Sequence, residues 1–367
     1  MRKAIPSMLV TMFILIGSLH SALAAPYWVK PGVYIKYIAK RYDPYFPLVT
    51  GARPEQIHTA EIFIKINGTI FRISASNDTR VIFKFLSVQK GYLTVETRIE
   101  MKNVTIVSMG LKNSTFPEFW DRNEVISTSI EPSHDVGFLD CHWLKVKLGH
   151  LTLSGKYLIR LSDGAVFDVD GRYYGHTALW VDPSRLPEPN ETFFKSGSVV
   201  SKVYNVSPMD RKMMTYFREF GPPLIGISRT LEGFNVMQEL EDGRKFTLLE
   251  LQVQGPAIYG IYDPSSGLCL YPSTWGLTLL PDFGAIGIVF AVFTDELSAY
   301  RVQKEHSKLW ASGLVLHRTN INFITARKVH FTREGTPLKY AFYFSLLLIG
   351  VILIIKEVNE WAGLKRS

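Results

Sequence analysis

Apolar and polar positions alternate with a period of two through most of the chain between residues 25 and 324. Residues 62–66 and 69–73 are two β-branched and aromatic runs separated by Asn67-Gly68. That dipeptide tolerates the positive φ a two-residue hairpin turn demands, so the stretch predicts a tight hairpin. Residues 80–87 and 91–101 repeat the pattern around Gln89-Lys90-Gly91, and 103–109 is a further short strand. The pattern then lapses as far as Pro132, across Phe116-Pro117-Glu118-Phe119-Trp120, which is either an aromatic loop or a plug for the core. Strands are expected at 143–148, 151–153, 157–161, 165–169 and 173–181, with turns at Asp163-Gly164 and Asp170-Gly171. Past a proline-rich run, Asp242-Gly243 joins 234–240 to 245–253, and Ser266-Gly267 joins 257–262 to 268–271. Two last strands are expected at 285–293 and 314–324.

Helical spacing is confined to a few places. Ser207 is placed to cap a helix over 209–220, with Pro208 at its first position and Met213, Met214, Phe217 and Phe220 along one face. Gly221-Pro222-Pro223 ends it. A charged helix is expected over 295–309. The fold class is therefore mainly β, antiparallel, with two or three helices: a β-sandwich or a strongly curved sheet. A curved sheet wrapping the 209–220 helix would resemble the half-barrels of lipoprotein carriers.

The two ends of the chain differ from the rest. Arg2 and Lys3, an apolar run over 8–19 and Ala22-Leu23-Ala24 form the pattern of an export signal over 1–24. Residues 340–355 carry no charge and span roughly 24 Å as a helix, so a membrane-spanning segment over 340–357 needs help from flanking residues. Tyr340, Phe342, Tyr343 and Phe344 at one end and Trp361 at the other suit the two interfaces. The expected layout is a signal (1–24), an extracytoplasmic β-rich domain (25–324, with an internal boundary near 183–192), a connector (325–339), one transmembrane helix (340–357) and a cytoplasmic tail (358–367).

Composition adds limits. The net charge of +8 is spread along the chain among acidic residues, with no basic stripe to suggest nucleic acid. Two cysteines in an exported domain, Cys141 and Cys269, are expected to form one disulfide. Six glycosylation sequons begin at Asn67, Asn77, Asn103, Asn113, Asn190 and Asn205, with Asn77, Asn113 and Asn190 favoured by loop-like surroundings. Trp120, beside Pro117, Glu118, Asp121 and Arg122, is the best candidate for an exposed binding aromatic. The acids Asp163, Asp168 and Asp170 lack the remainder of a calcium loop and suit hairpin turns. His134, Asp135, Asp140, His142 and His150 match no metal-ligand spacing. Gly226-Ile227-Ser228-Arg229-Thr230 lacks the second glycine of a nucleophile elbow, and no phosphate-binding glycine loop is present. No catalytic residue, metal or cofactor is expected.

In this layout the chain resembles uncharacterised archaeal exported envelope proteins with a C-terminal membrane anchor. The resemblance rests on organisation and composition and implies no activity. The function expected is a membrane-anchored surface module that binds a protein, glycan or lipid, or that helps to build the envelope. The alternatives are an anchored extracytoplasmic hydrolase and a carrier of an apolar ligand.

Overall fold

Asn67 and Gly68 take φ angles of 48° and 86° in a computed structural model of the chain, so the predicted two-residue turn is formed. Lys90 and Gly91 (49° and 79°) do the same for the next hairpin, with Gln89 facing Tyr92. The structure describes residues 25–39, 60–196, 199–208, 224–271, 285–289 and 315–322, all of which fall in one compact unit. The strands in order are β1 (Tyr34–Ala39), β2 (Ala60–Ile66), β3 (Thr69–Ala75), β4 (Thr79–Gln89), β5 (Tyr92–Leu111) and β6 (Val125–Pro132). There follow β7 (Cys141–Arg160), β8 (Ala165–Asp168), β9 (Tyr173–His176), β10 (Thr192–Ser196) and β11 (Val199–Pro208). The last are β12 (Ile225–Glu239), β13 (Lys245–Tyr262), β14 (Cys269–Tyr271), β15 (Ala285–Val289) and β16 (Val315–Thr319).

These form two antiparallel sheets of 11 and 5 strands. The spine of the larger is the pair β5–β7, each 20 residues long. One edge of β5 is shared, with β4 along its first half and β3 along its second. The outer edge of β7 is shared in the same way by β6 and β8. The sheet curls into a half-barrel, so of the two architectures expected, the strongly curved sheet is the one observed.

The change of partner along the spine is written in its burial pattern. On β5 the alternating buried positions are Leu93, Val95, Thr97, Ile99 and Met101, then Val104, Ile106 and Ser108, with Met109 and Gly110 also buried near its end. On β7 they are Leu144, Val146 and Leu148, then Leu151, Leu153, Tyr157 and Ile159. Both strands shift phase by one residue at the same level, between the facing pairs Lys102–His150 and Val104–Leu148. Asn103 sits at that level with φ 50°, a left-handed conformation its short side chain tolerates. Its carbonyl accepts from the N–H and hydroxyl of Ser76, in the turn between β3 and β4. A one-residue slip would ordinarily turn a strand's core face to solvent. Here both strands slip together, so register is kept and one face stays inward.

That inward face is the main core, with Trp28, Tyr37, Phe71, Phe83, Phe85 and Tyr157 among its fully buried members. The smaller sheet runs β10–β11–β12–β13–β14. It touches the larger at Gln238, whose side-chain oxygen accepts from Ile70 N–H at 2.6 Å, and in a small cluster of Met109, Cys141 and Leu240. Beside that cluster Arg244 donates to Asp140, Asp242 and the Gly137 carbonyl.

Several expectations change. No α-helix occurs among the described residues, where the sole helical element is the 3-10 turn Arg122–Glu124, capped by Asp121. The helices expected over 209–220 and 295–309 lie outside the described residues, as do the signal (1–24), the connector (325–339), the segment 340–357 and the tail (358–367), but Ser207 and Pro208, expected to cap and begin the first helix, are strand residues facing Gly226 and Ile225. No helix among the described residues is long and apolar enough to cross a membrane. No disulfide is formed: Cys141 and Cys269 are buried thiols, one in the cluster with Met109 and Leu240, the other in a separate cluster with Val203 and Tyr262. Strand β6 falls within the stretch where the sequence pattern lapses. Its burial explains why: it pairs only with β7 among the described strands, and Ile126 and Ile130 are exposed.

Candidate functional site: a cleft between the two sheets

The chain leaves the larger sheet at His176 and enters the smaller at Thr192. The segment between is stitched to both. Thr177 N–H donates to the Gly164 carbonyl, and Tyr262 Oη donates to the Ala178 carbonyl at 3.2 Å. Cys269 N–H donates to the Leu179 carbonyl, and Val181 N–H donates to the Gly267 carbonyl at 2.9 Å. The turn on the smaller sheet is itself held from the N-terminal segment. Trp28 Nε1 donates to the Ser266 carbonyl and Tyr37 Oη to the Cys269 carbonyl, at 2.8 and 2.7 Å. The result is a fixed crossing that leaves a cleft of about 160 Å3 against the linker. Asp163, His176, Trp180, Asp182, Arg185 and Phe193 are among the residues lining it.

On the β8–β9 side, Asp163 accepts from Arg160 Nε at 2.9 Å and Nη2 at 2.5 Å, and from Ala165 N–H at 3.1 Å. Partial burial opposes its ionisation, but these donors outweigh it and hold the carboxyl below its ordinary value. Burial pushes the His176 imidazole below its usual range, helped by Arg160 and opposed by Asp163. Tyr173 Oη lies 3.0 Å from His176 Nδ1. On the linker, Asp182 accepts from the N–H and hydroxyl of Ser184 at 2.8 and 2.6 Å. Glu191 accepts from Glu188 N–H at 2.9 Å and lies 3.7 Å from Arg185. Each of these acids therefore has donors of its own.

Behind Phe193 lies Arg229, 1% exposed, its Cζ 4.3 Å from the ring centroid. Its Nε and Nη2 have no hydrogen-bond partner. Burial drives its pKa down, with Tyr262 and Cys269 acting the other way, but a guanidinium stays protonated in a protein. Strand geometry explains how it came to be inside. Ile225, Ile227 and Arg229 alternate along β12 and so share one face, and the first two belong to the cluster with Val203 and Tyr262. The Trp180 Nε1 is likewise buried without an acceptor.

Arg229 is not singled out by the sequence, where 226–230 reads only as an incomplete nucleophile motif. The signal was present in the alternation Ile225-Gly226-Ile227-Ser228-Arg229, which puts the arginine in phase with two isoleucines. Of the residues that the sequence did single out, Asp163 lines the cleft and most of the others lie elsewhere. Trp120 is half-buried, edge-on to Phe71 and Phe119 at 6.3 and 5.0 Å, and packs on the main core instead of standing exposed. Asn67, Asn103, Asn113, Asn190 and Asn205 are exposed. Asn77 is half-buried, its side-chain oxygen accepting from Asp78 N–H, and the Thr79 of its sequon is wholly buried. Asn190 adjoins the cleft, because its sequon ends on Thr192 in the cleft wall. Asp168 accepts from the N–H groups of Asp170 and Arg172, the turn role foreseen for it. Asp140 is bound by Arg244, and His142 is half-buried on β7.

Neither protein-family models, nor curated proteins, nor solved structures give a match to this chain.

Proposed function

We propose that this chain is a surface binding or envelope-building module, exported by residues 1–24, anchored by 340–357, and recognising its partner at the cleft between the two sheets. The observation that carries the reading is the cleft's make-up: aromatic Trp180 and Phe193 beside satisfied acid–donor pairs, in a recess fixed by backbone hydrogen bonds from both sheets. At about 160 Å3 it is smaller than the several hundred Å3 of a typical drug-sized pocket and suits one group of a larger ligand. That fits a protein, glycan or lipid headgroup displayed at a cell surface. A second reading, an anchored hydrolase, draws on Tyr173 and His176 at the rim, since a neutral imidazole in contact with a phenol is a usable proton acceptor. The curl of the larger sheet favours a third, a carrier akin to the lipoprotein-carrier half-barrels.

The test uses full-length protein in its membrane. Thr192→Trp fills the cleft from an exposed position, and Asn190→Gln removes the same sequon without filling it. Retention of a co-purifying protein, glycan or lipid is expected to fall with Thr192→Trp and to survive Asn190→Gln. Equal retention in both overturns the cleft as the binding site. Turnover of a surface polymer that stops with His176→Gln would replace binding by hydrolysis. Protease added to intact cells is expected to remove the β-rich domain and leave a short C-terminal fragment. Protection of that domain in accessible cells overturns the topology.

A further inference from the structure

The cleft holds a surplus of one kind of unfilled hydrogen-bonding capacity. Its acids are occupied: Asp163 by Arg160, Asp182 by Ser184, Glu191 by Glu188 N–H. What is left over at and behind its wall are donors, the Trp180 indole N–H and two nitrogens of Arg229. Another buried atom without a partner, Asp263 Oδ1, is an acceptor, but Asp263 does not line the cleft. A buried guanidinium whose contact is an aromatic face keeps some cation–π attraction, yet forgoes the hydrogen bonds that normally offset removal from water. Such a group is costly to keep in a structural role, since apolar residues of similar volume pack at lower cost.

The identity of the two unpartnered nitrogens narrows the chemistry. Nε and Nη2 form the side-on edge of a guanidinium, the edge that grips a carboxylate with two parallel bonds. Arg160 uses the same two nitrogens on Asp163 in this molecule. Phe193 both lines the cleft and lies over Arg229, which does not itself line the recess, so the ring connects the two.

We propose that Arg229 is the anchor for a carboxylate group of the ligand, which enters the cleft, displaces the Phe193 ring and pairs with Nε and Nη2. The proposal rests on reading the cleft as a recognition site and adds the class of group recognised: an acidic sugar or another small carboxylate. Phe193 serves as a stopper that shields the cation until an anion of the right shape replaces it.

The experiment compares binding of glucuronate, glucose and inorganic phosphate to the full-length protein in detergent, by calorimetry and by thermal shift. Glucuronate is expected to bind and stabilise, glucose not to, and phosphate to bind more weakly than glucuronate. Arg229→Met is expected to weaken glucuronate binding about thirtyfold or more while leaving the midpoint of unfolding unchanged or raised. Arg229→Lys keeps the charge and loses the fork, so binding is expected to weaken while the fold persists. Phe193→Ala is expected to strengthen binding by opening the path. Binding abolished by Thr192→Trp but indifferent to both Arg229 variants overturns the role of Arg229 and leaves the cleft reading intact. Binding indifferent to Thr192→Trp removes both. Should Arg229→Met fail to fold, the wild-type and Phe193→Ala proteins decide. No shift with glucuronate at millimolar concentration in either protein overturns the proposal.

Discussion

Gly267 and Val181 meet so closely that a β-carbon on the glycine would lie 2.1 Å from the valine carbonyl oxygen. The same pair is joined by the hydrogen bond from Val181 N–H to the Gly267 carbonyl. Gly267 also has φ 71°, where an L side chain is strained whatever the space. Gly267→Ala is therefore expected to destabilise the protein by about 2 kcal/mol or more, since backbone cannot move aside as a flexible side chain can. A lowered urea midpoint at constant slope is the expected result. An unchanged midpoint would mean that the crossing segment does not depend on this contact.

The thiols offer a chemical count. Cys141 and Cys269 are buried out of reach of a reagent, and burial also raises the pKa of Cys141. In native protein without reductant a thiol reagent is expected to react slowly, and after unfolding it is expected to label both cysteines. No labelling of the unfolded, unreduced chain would show that a disulfide had formed and that the two clusters had rearranged to allow it.

Asn103 is where the spine changes partners, and its replacement separates conformation from packing. Asn103→Gly relieves the left-handed backbone and is expected to leave stability near wild type. Asn103→Val forces a β-branched residue to φ 50° and is expected to cost about 1–2 kcal/mol. Thermal unfolding of the two variants side by side is the measurement. Equal losses would place the cost in the lost asparagine side chain.

Acid sensitivity has two stages. His176 has a lowered folded pKa, so its unfolded form binds a proton first as pH falls below about 6.5, and stability declines from there down through the folded value. His176→Gln is expected to flatten this upper limb of the urea midpoint against pH. Asp163, Asp140 and Asp242 also have lowered values, the last two chiefly through Arg244, so their contribution is whole above about pH 4 and lost as pH falls through the folded values. Arg244→Met is expected to flatten that lower limb. A limb of unchanged steepness in either variant would assign it to other groups.

Much of the fold was legible along the chain because turns and alternation are local. Asn67-Gly68, Lys90-Gly91 and Asp242-Gly243 all lie at the hairpin tips where expected, and the strands flanking them are formed. The errors cluster where the core face changes phase. Residues 91–101 and 103–109 are expected as separate strands, and 143–148 apart from 151–153, because a one-residue slip looks like a break when each strand is read alone; the further break before 157 reflects the small and polar Ser154-Gly155-Lys156, where the phase does not change. Seen as a pair, β5 and β7 slip together and remain continuous. Trp120 was misplaced for a different reason. Polar neighbours suggested a loop, and loop it is, but its aromatics fold back on Phe71. Arg229 escaped notice because its meaning lies in what fails to surround it, which depends on Phe193 and Tyr262 from other strands. The residues lining the cleft all fall within 163–193, but the linker among them is held by Tyr262, Gly267 and Cys269, and those distant contacts leave no local signature.

The pairing of β1 with β16 has a consequence for how the chain is made. Tyr34 and Thr319, joined by a hydrogen bond from the threonine hydroxyl to the tyrosine carbonyl, are 285 residues apart. Strand β1 can pair with β4 soon after synthesis, but its opposite edge has no partner among the described strands until β16 emerges. An open strand edge invites pairing with other chains, and contacts so distant in sequence form slowly. Through most of its synthesis the nascent protein therefore carries an unfinished seam whose closure is among the last acts of folding. Chaperone protection of the region around Tyr34–Ala39 would matter most during that interval.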